Sequence, residues 1–154
     1  MSDEISLQEI LEVQEYFGLP SPALVEKDYQ VVRALAAIHA LDTAPLRLVF
    51  QGGTALSRAH RLTRRMSEDI DLRIVSETPP TRAALRRLRK KISGALVVAG
   101  FGFDPNSDQV QARNESRFTL YRVPYDPISR GEGALRSEIQ SRPRCGRLGL
   151  PPCR

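Results

Sequence analysis

Residues Leu46 to Val75 read LRLVFQGGTALSRAHRLTRRMSEDIDLRIV, and this stretch decides which fold the chain can adopt. Its opening run, LRLVF, predicts a short strand that the glycine pair Gly52-Gly53 ends. A helix-like segment follows over residues 55–62, and a second predicted strand carries Asp69 and Asp71. A strand, a glycine turn, a helix and a strand in succession predict an α/β or α+β domain.

The two aspartates of the second predicted strand are expected to share a surface. Side chains of a strand alternate between its faces, so Asp69 and Asp71 lie on one face, and the apolar residues 70, 72 and 74 point into a core. Two carboxylates on the same face repel each other unless a cation lies between them. Mg²⁺ suits such a pair, because it is bound by one or two carboxylates together with substrate phosphates.

The glycine turn has the composition of a phosphate-binding site. Gly52 and Gly53 let backbone N–H groups approach a phosphate closely, and the N-terminus of the helix that follows carries partial positive charge. Thr54 adds a hydroxyl donor. A lone Gly-Gly-Thr is more often only a turn and cap, and a lone Asp-x-Asp is more often a solvated strand edge. Their combination in one unit favours the functional interpretation.

The stretch GGTALSRAHRLTRRMSEDIDL resembles the signature of the AbiEii/AbiGii toxin-type nucleotidyltransferases, a branch of the DNA polymerase β-like nucleotidyltransferase superfamily. The matching residues are Gly52, Gly53, Thr54, Leu56, Ser57, Arg65, Ser67, Asp69, Asp71 and Leu72. Weaker similarity extends upstream to residues 26–29 and downstream to residues 135–140.

This resemblance implies a nucleotidyltransferase-type fold, in which helices flank a small mixed β-sheet. It implies that the turn and a nearby serine bind the incoming nucleotide through Gly52, Gly53, Thr54 and Ser67. It also implies a catalytic two-metal Mg²⁺ site formed by Asp69, Asp71 and a third acidic residue on a later strand.

Glu138 is the candidate for that third acid. Residues Leu135 to Gln140 alternate in polarity and predict a strand with Arg136 and Glu138 on one face. A single acid on a strand is more often a surface residue. The resemblance is what favours a catalytic, metal-binding role for Glu138.

Two helices are predicted ahead of the central stretch. Ser6 and Glu9 form a capping-box pattern for the first helix, and Gly18 is placed to end it. The pair Ser21-Pro22 predicts the start of a second helix that runs to about residue 40. Within that helix, the segment Glu26-Lys27-Asp28 is expected to be a solvated turn. The resemblance raises the alternative that its lysine or aspartate borders a nucleotide cleft.

A strongly basic helix is predicted to start at Thr78-Pro79-Pro80, with an apolar face and an end at Gly100. Its other face has six cationic residues and no acid: Arg82, Arg86, Arg87, Arg89, Lys90 and Lys91. A solvated helix normally mixes charge signs. Two interpretations stay open: four of these residues, Arg86, Arg87, Lys90 and Lys91, contact RNA phosphates, or the face is solvated or binds a protein.

The rest of the chain predicts a sheet built from later strands. Residues Phe101 to Phe103 are expected to begin a strand, and residues 104–114 to form a polar, turn-rich connection. A strand is predicted over Phe118 to Val123, before the strand that carries Glu138.

Composition is that of an ordinary globular chain of one domain, with 154 residues, 41% hydrophobic and 27% charged. No apolar run approaches the ~20 residues of a membrane helix, and the acidic N-terminus does not suit a signal peptide. The two cysteines, Cys145 and Cys153, form no metal or redox pattern. These features predict a cytoplasmic protein that does not enter a membrane.

The net charge of +5 comes mostly from the end of the chain. Residues 141–154 contain four arginines and no acid, which leaves 19 basic against 18 acidic residues elsewhere. We expect residues 1–140 to form the nucleotidyltransferase-like domain and residues 141–154 to be a disordered or aberrant tail. The helical C-terminal half that the resemblance implies has no counterpart in this sequence.

Together these features predict an enzyme, a metal-dependent nucleotidyltransferase that moves a nucleoside monophosphate from an NTP to a hydroxyl group. The resemblance implies RNA, tRNA in particular, as the acceptor. It also implies a toxin of a toxin–antitoxin or abortive-infection system, with a cognate antitoxin protein as partner. Two other classes stay open: a degenerate domain that binds nucleotide without turnover, and a basic RNA-binding module that needs no metal.

Overall fold

A computed structural model of the chain describes residues 5–51, 69–113, 118–129 and 134–140. In this part of the chain the elements are α1 (Leu7–Phe17), α2 (Pro22–His39), β1 (Arg47–Gln51), β2 (Asp69–Val75), α3 (Arg82–Val98), β3 (Val110–Arg113), β4 (Phe118–Pro124) and β5 (Ala134–Gln140). The helix predicted over 55–62 and the tail predicted over 141–154 lie outside the described residues.

The first two helices begin and end where the sequence predicts. The Ser6 hydroxyl accepts a hydrogen bond from the Glu9 backbone N–H at 3.2 Å, and the Glu9 carboxylate accepts one from the Ser6 N–H at 2.8 Å. The bonds that the Glu9 carboxylate accepts from the Ser6 N–H and from the Ser6 hydroxyl lower the pKa of Glu9. Gly18, at φ 61°, closes α1 in the left-handed conformation that glycine tolerates. Ser21 caps α2, with Pro22 in its first turn.

The basic helix α3 begins later than the proline pair suggested. The Thr81 hydroxyl accepts a hydrogen bond from the Ala84 N–H at 3.2 Å, so the helix starts at Arg82. A proline disfavours helical geometry in the residue before it, and this excludes Thr78 and Pro79 from the helix. The helix ends as predicted, since Gly100 follows its cap at φ 84°.

The five described strands form one mixed sheet in the order β1-β2-β5-β4-β3. Strands β2 and β5 are parallel, and all other neighbours are antiparallel. The predicted small mixed sheet with flanking helices is therefore confirmed.

Helices α2 and α3 cover one face of this sheet. Ile70, Leu72 and Ile74 of β2 are at most 5% exposed, as the alternation predicted. They share a core with apolar residues of both helices and of β4, among them Val31, Ala34, Ile38, Leu85, Leu88, Ile92, Leu96, Tyr121 and Val123. Burial of so many aliphatic side chains stabilises the layer.

Two sequence expectations between α3 and β4 were wrong. Residues 101–103 form no strand: the Phe101 N–H donates to the Leu96 carbonyl at 3.2 Å and so closes α3, while both phenylalanines enter the core. Residues Val110–Arg113, expected to belong to a turn-rich connection, form β3 because they pair with β4. Such a short edge strand has too little periodicity to be recognised from sequence alone.

A polar link ties the helical layer together. The Arg33 guanidinium donates to the Ala99 carbonyl at 2.8 Å and lies over the Phe101 ring at 5.2 Å from its centre. This contact joins α2 to the C-terminal end of α3, with both a charge-assisted hydrogen bond and a cation–π contact. No helix in the described residues is both long and apolar enough to span a bilayer.

Candidate active site

The acidic face of β2 lies opposite the helices. Because Ile70 and Leu72 face the core, the odd-numbered positions of the strand belong to the other face. Asp71 on that face is half-buried. Asp69 is the first residue of β2, and strand alternation puts its position on the same face. The sheet thus separates this acidic face from the helical layer.

The sheet register brings the predicted third acid, Glu138, next to Asp71. We call the positions of Asp69, Asp71 and Glu138 the acidic row. Asp71 pairs with Glu138 of the parallel strand β5 and, on its other side, with Gln51 of β1. Neighbouring strands lie about 4.8 Å apart, and residues paired across them occupy the same face. Positions 71 and 138 are therefore adjacent, although some 67 residues of chain separate them. Asp69 pairs with Arg136 one step along.

The glycine turn lies outside the described residues, as do Thr54 and Ser67. Its point of attachment is described: β1 ends at Gln51, which pairs with Asp71. The chain therefore leaves the sheet after Gln51, next to Asp71, and returns to it at Asp69. The nucleotide-binding role of Gly52 and Gly53 stays a prediction.

Oxygen ligands of the kind that Mg²⁺ prefers are available in this row. The register gives position 71 one carboxylate neighbour across the strands, and Asp69 lies two residues away on the same strand. Among the side chains that the structure describes, no three His, Cys, Asp or Glu residues form a metal-binding group. The donor chemistry and backbone spacing fit a divalent cation, and ligation by Asp69, Asp71 and Glu138 stays a prediction.

Glu26 of α2 is a feature that the sequence interpretation missed. It was expected in a solvated turn, yet Glu26 is 0% and Asp28 7% exposed. The Ile128 N–H donates to Glu26 Oε1 at 2.6 Å, and the Ser129 N–H donates to Oε2 at 3.0 Å. The Ser129 hydroxyl also donates to Oε2. The signal in the sequence was helical spacing, since Glu26 shares a face with the buried residues at positions 30, 34 and 38.

The segment that Glu26 holds lies at the same end of the sheet as Asp69. Pro124 at the end of β4 pairs with Ala134 at the start of β5, so residues 125–129 leave the sheet there. Because β5 is parallel to β2, its start lies at the end of the sheet where β2 begins. Tyr125 in this segment is buried, and burial together with the negative charge of Glu26 raises the pKa of Tyr125 to about 12.

The basic face of α3, defined as Arg86, Arg87, Lys90 and Lys91, is exposed. The opposite face of the helix packs into the core with Ile70 and Leu72. The basic face therefore points away from the sheet, on the far side from Asp71. The structure does not bring these four cations together with the acidic row. One of them is engaged locally, since Lys91 Nζ donates to the Asp42 carbonyl at 2.6 Å.

An apolar groove of about 670 Å³ lies between α2 and β1, on the helical side of the sheet. Its walls include Leu35, Leu48 and Phe50, with His39 and Arg47 at polar positions. The groove is thus separated from the acidic row by the sheet. An apolar lining also offers few donors for a triphosphate, so we do not assign the nucleotide to it.

Comparison with known proteins gives a family match over most of the chain. Residues 33–151 match the family model described as nucleotidyl transferase AbiEii toxin, type IV TA system. Among solved structures, the chain is similar to MenT4, a nucleotidyltransferase toxin from Mycobacterium tuberculosis H37Rv, with 25% identity and a TM-score of 0.54. That alignment covers 87% of this chain and 44% of MenT4, so the chain spans less than half of that toxin. No curated protein sequence matches this chain.

Proposed function

Because this chain belongs to the AbiEii family of nucleotidyl transferase toxins of type IV toxin–antitoxin systems, we propose that it transfers a nucleoside monophosphate from an NTP to a hydroxyl group and releases pyrophosphate. The observation that supports this proposal most directly is the register of β2 and β5. It pairs Asp71 with Glu138 at the end of the sheet where the glycine turn attaches.

The acidic row is the proposed metal site. Asp69, Asp71 and Glu138 would hold Mg²⁺ through their carboxylate oxygens. When bound, two such ions stabilise the attacking and leaving oxygens of an in-line displacement. The carboxylates themselves orient the site, because they occupy adjacent positions on two paired strands rather than on mobile loops.

The glycine turn is the proposed phosphate site. Gly52 and Gly53 would present backbone N–H donors to the β- and γ-phosphates, and Thr54 and Ser67 would add hydroxyl donors. The pairing of Gln51 with Asp71 supports this assignment, because the turn starts one residue after a position in the acidic row.

RNA, with tRNA as the leading candidate, is the proposed acceptor. The basic face of α3 would contact its phosphates. Since that face is on the far side of the sheet from Asp71, one RNA can reach both surfaces only by passing around the edge of the domain. Chemistry and RNA docking are therefore separable, and each can be removed by mutation without the other.

A cognate antitoxin protein is the proposed partner, as the type IV family implies. A cytoplasmic location is part of the same proposal, since NTP and tRNA are both present there.

Labelled NTPs, Mg²⁺ and total tRNA, incubated with the protein, test this function. Label transferred to RNA, and lost with EDTA, is the expected result. Mg²⁺-dependent NTP binding without transfer would instead indicate a degenerate nucleotide-binding domain. RNA binding that needs no metal, with neither transfer nor NTP binding, would indicate an RNA-binding module that uses the basic face of α3.

A further inference from the structure

Glu26 is a fully buried acid whose hydrogen bonds cross between two distant parts of the chain. Its carboxylate accepts three bonds, from the Ile128 N–H, the Ser129 N–H and the Ser129 hydroxyl, more than 100 positions away in sequence. Ser129 is itself only 7% exposed. The contact is therefore shielded from water, where hydrogen bonds to a charged acceptor are strong.

The residues that Glu26 holds connect two strands of the sheet. They follow the end of β4 at Pro124 and precede the start of β5 at Ala134. Strand β5 then continues to Glu138, the position that pairs with Asp71. Ser129 lies five positions before the start of β5 at Ala134, and Glu138 lies four positions further along that strand.

We propose that Glu26 is a positioning residue of the active site: by holding Ile128 and Ser129 against α2, it sets the placement of β5 and with it the alignment of Glu138 beside Asp71. This inference rests on the proposed function, because it concerns the same acidic row. In the described residues, the hydrogen bonds of Glu26 go to Ile128 and Ser129, which are not part of that row. It acts through the segment that enters β5.

The chemistry of the contact requires an acid at position 26. Three donors converge on the side chain, and a carboxylate offers only acceptors. A glutamine has the same shape, but its NH₂ group would face at least one of these donors. A glutamine thus keeps the volume of the core and weakens the tether. The charge of Glu26 is also felt by Tyr125 in the tethered segment, whose pKa it helps to raise.

A purely structural role would predict something different. In that case, loss of the tether would lower stability and leave the metal requirement of the folded protein unchanged. The positioning role predicts that a folded variant without the tether needs more Mg²⁺, because Asp71 and Glu138 are no longer aligned to bind the ion. Residues that orient metal ligands from outside the first coordination sphere typically contribute about 10- to 100-fold in metal affinity or activity.

The experiment compares Glu26→Gln and Ser129→Ala with Thr81→Ala in the full chain. Thr81 caps α3 through a side-chain oxygen that accepts from the Ala84 N–H, beyond the end of β2 opposite Asp69. Thr81→Ala thus removes a side-chain hydrogen bond to the backbone that lies far from the acidic row. Each variant is titrated with Mg²⁺ in two assays. The first measures transfer activity below the melting temperature of the variant. The second measures the rise in melting temperature that a non-hydrolysable NTP analogue produces. Hydrogen exchange of residues 134–140 is followed in parallel.

Glu26→Gln is expected to raise the half-saturating Mg²⁺ concentration about tenfold and to speed exchange in β5. Ser129→Ala, which removes one donor of three, should show a smaller change in the same direction, and the double variant should change less than the sum of the two. Thr81→Ala should show neither effect. If Glu26→Gln matches Thr81→Ala in both readouts while the wild type is active, the inference is overturned. If the wild type neither transfers label nor responds to Mg²⁺ and the NTP analogue, the proposed function fails and the inference with it.

Discussion

We predict that the effect of Asp71→Asn on the stability of the protein changes sign when Mg²⁺ and NTP bind. Asp71 has Asp69 two residues away and Glu138 beside it in the register. Without metal these negative charges repel one another, so Asp71→Asn should hold or raise stability. With Mg²⁺ and NTP bound, the same substitution removes a ligand, and the wild type should become the more stable protein.

The size of the metal-free effect follows from the strand spacing. Unit charges about 5 Å apart interact by roughly 1 kcal/mol in water and about 3 kcal/mol at an effective dielectric constant near 20. Asp71 is half-buried, so solvent screening favours the lower figure. A chain of this size changes its melting temperature by about 2–4 °C per kcal/mol. Apo Asp71→Asn should therefore melt at the wild-type temperature or up to ~4 °C above it.

Ligand binding should reverse that order. Ligand at about 100 times its Kd stabilises the folded state by ~2.7 kcal/mol, which corresponds to roughly 5–10 °C here. The wild type should gain this shift with Mg²⁺ and a non-hydrolysable NTP analogue, and Asp71→Asn should lose most of it. Transfer to RNA should fall at least ~100-fold, since even residues that only orient metal ligands contribute 10- to 100-fold.

Thermal melts with and without Mg²⁺ and the NTP analogue measure both signs, and a transfer assay measures the rate. Asp108→Asn is the matched control, because Asp108 is an exposed acid in the loop before β3. It removes the same charge and should change neither the ligand-dependent shift nor transfer. Wild-type transfer by Asp71→Asn, or an undiminished Mg²⁺-dependent shift, would show that the acidic row does not hold the metal.

Three further predictions address the turn, the basic face and the buried tyrosine. Gly53→Val should abolish binding of a labelled NTP, because a side chain blocks close approach of the backbone to phosphate. Thr54→Ala should weaken the free energy of NTP binding by only about 0.5–1.5 kcal/mol. Equal NTP affinity in Gly53→Val and wild type would show that the turn is merely structural. Charge reversal of the basic face of α3 should weaken RNA binding and flatten its salt dependence while NTP binding persists; an unchanged salt slope would assign that face to solvent or a protein. The raised pKa of Tyr125, about 12 against an ordinary value near 10, favours the neutral form in the folded state, so stability is full below pH ~10 and declines as pH rises through 12. Tyr125→Phe should remove part of this alkaline loss in pH-dependent melts, and Tyr16→Phe, at a residue 83% exposed, should not; identical alkaline curves for the wild type and Tyr125→Phe would contradict the assignment.

Local sequence patterns were enough to predict most of the helices and strands. The capping box of Ser6 and Glu9, the left-handed Gly18 and the start of α2 at Pro22 all depend on residues a few positions apart. The alternation that buries Ile70 and Leu72, and leaves the aspartates on the other face, is local in the same sense. Interactions within one turn or one strand are encoded by neighbouring residues.

The residues of the candidate site were proposed from the sequence, whereas their arrangement in the sheet could not be. The sequence, through its resemblance to a family, proposed Asp69, Asp71 and Glu138. Nothing in a single strand shows which other strand lies beside it or in what register. Only the assembled sheet pairs Asp71 with Glu138, because pairing between distant strands depends on how their apolar faces pack against α2 and α3.

The same limit explains the burial of Glu26 and the position of the basic face. An acid in a charged tripeptide is typical of a solvated surface, and only the approach of residues 128–129 from the other end of the chain provides donors that make its burial stable. The cationic run of α3 was evident from sequence, but its place behind the sheet follows from which side of the helix enters the core. Sequence determined which groups the chain carries. Long-range packing, whose energy depends on contacts between elements far apart in the chain, decided which of those groups meet.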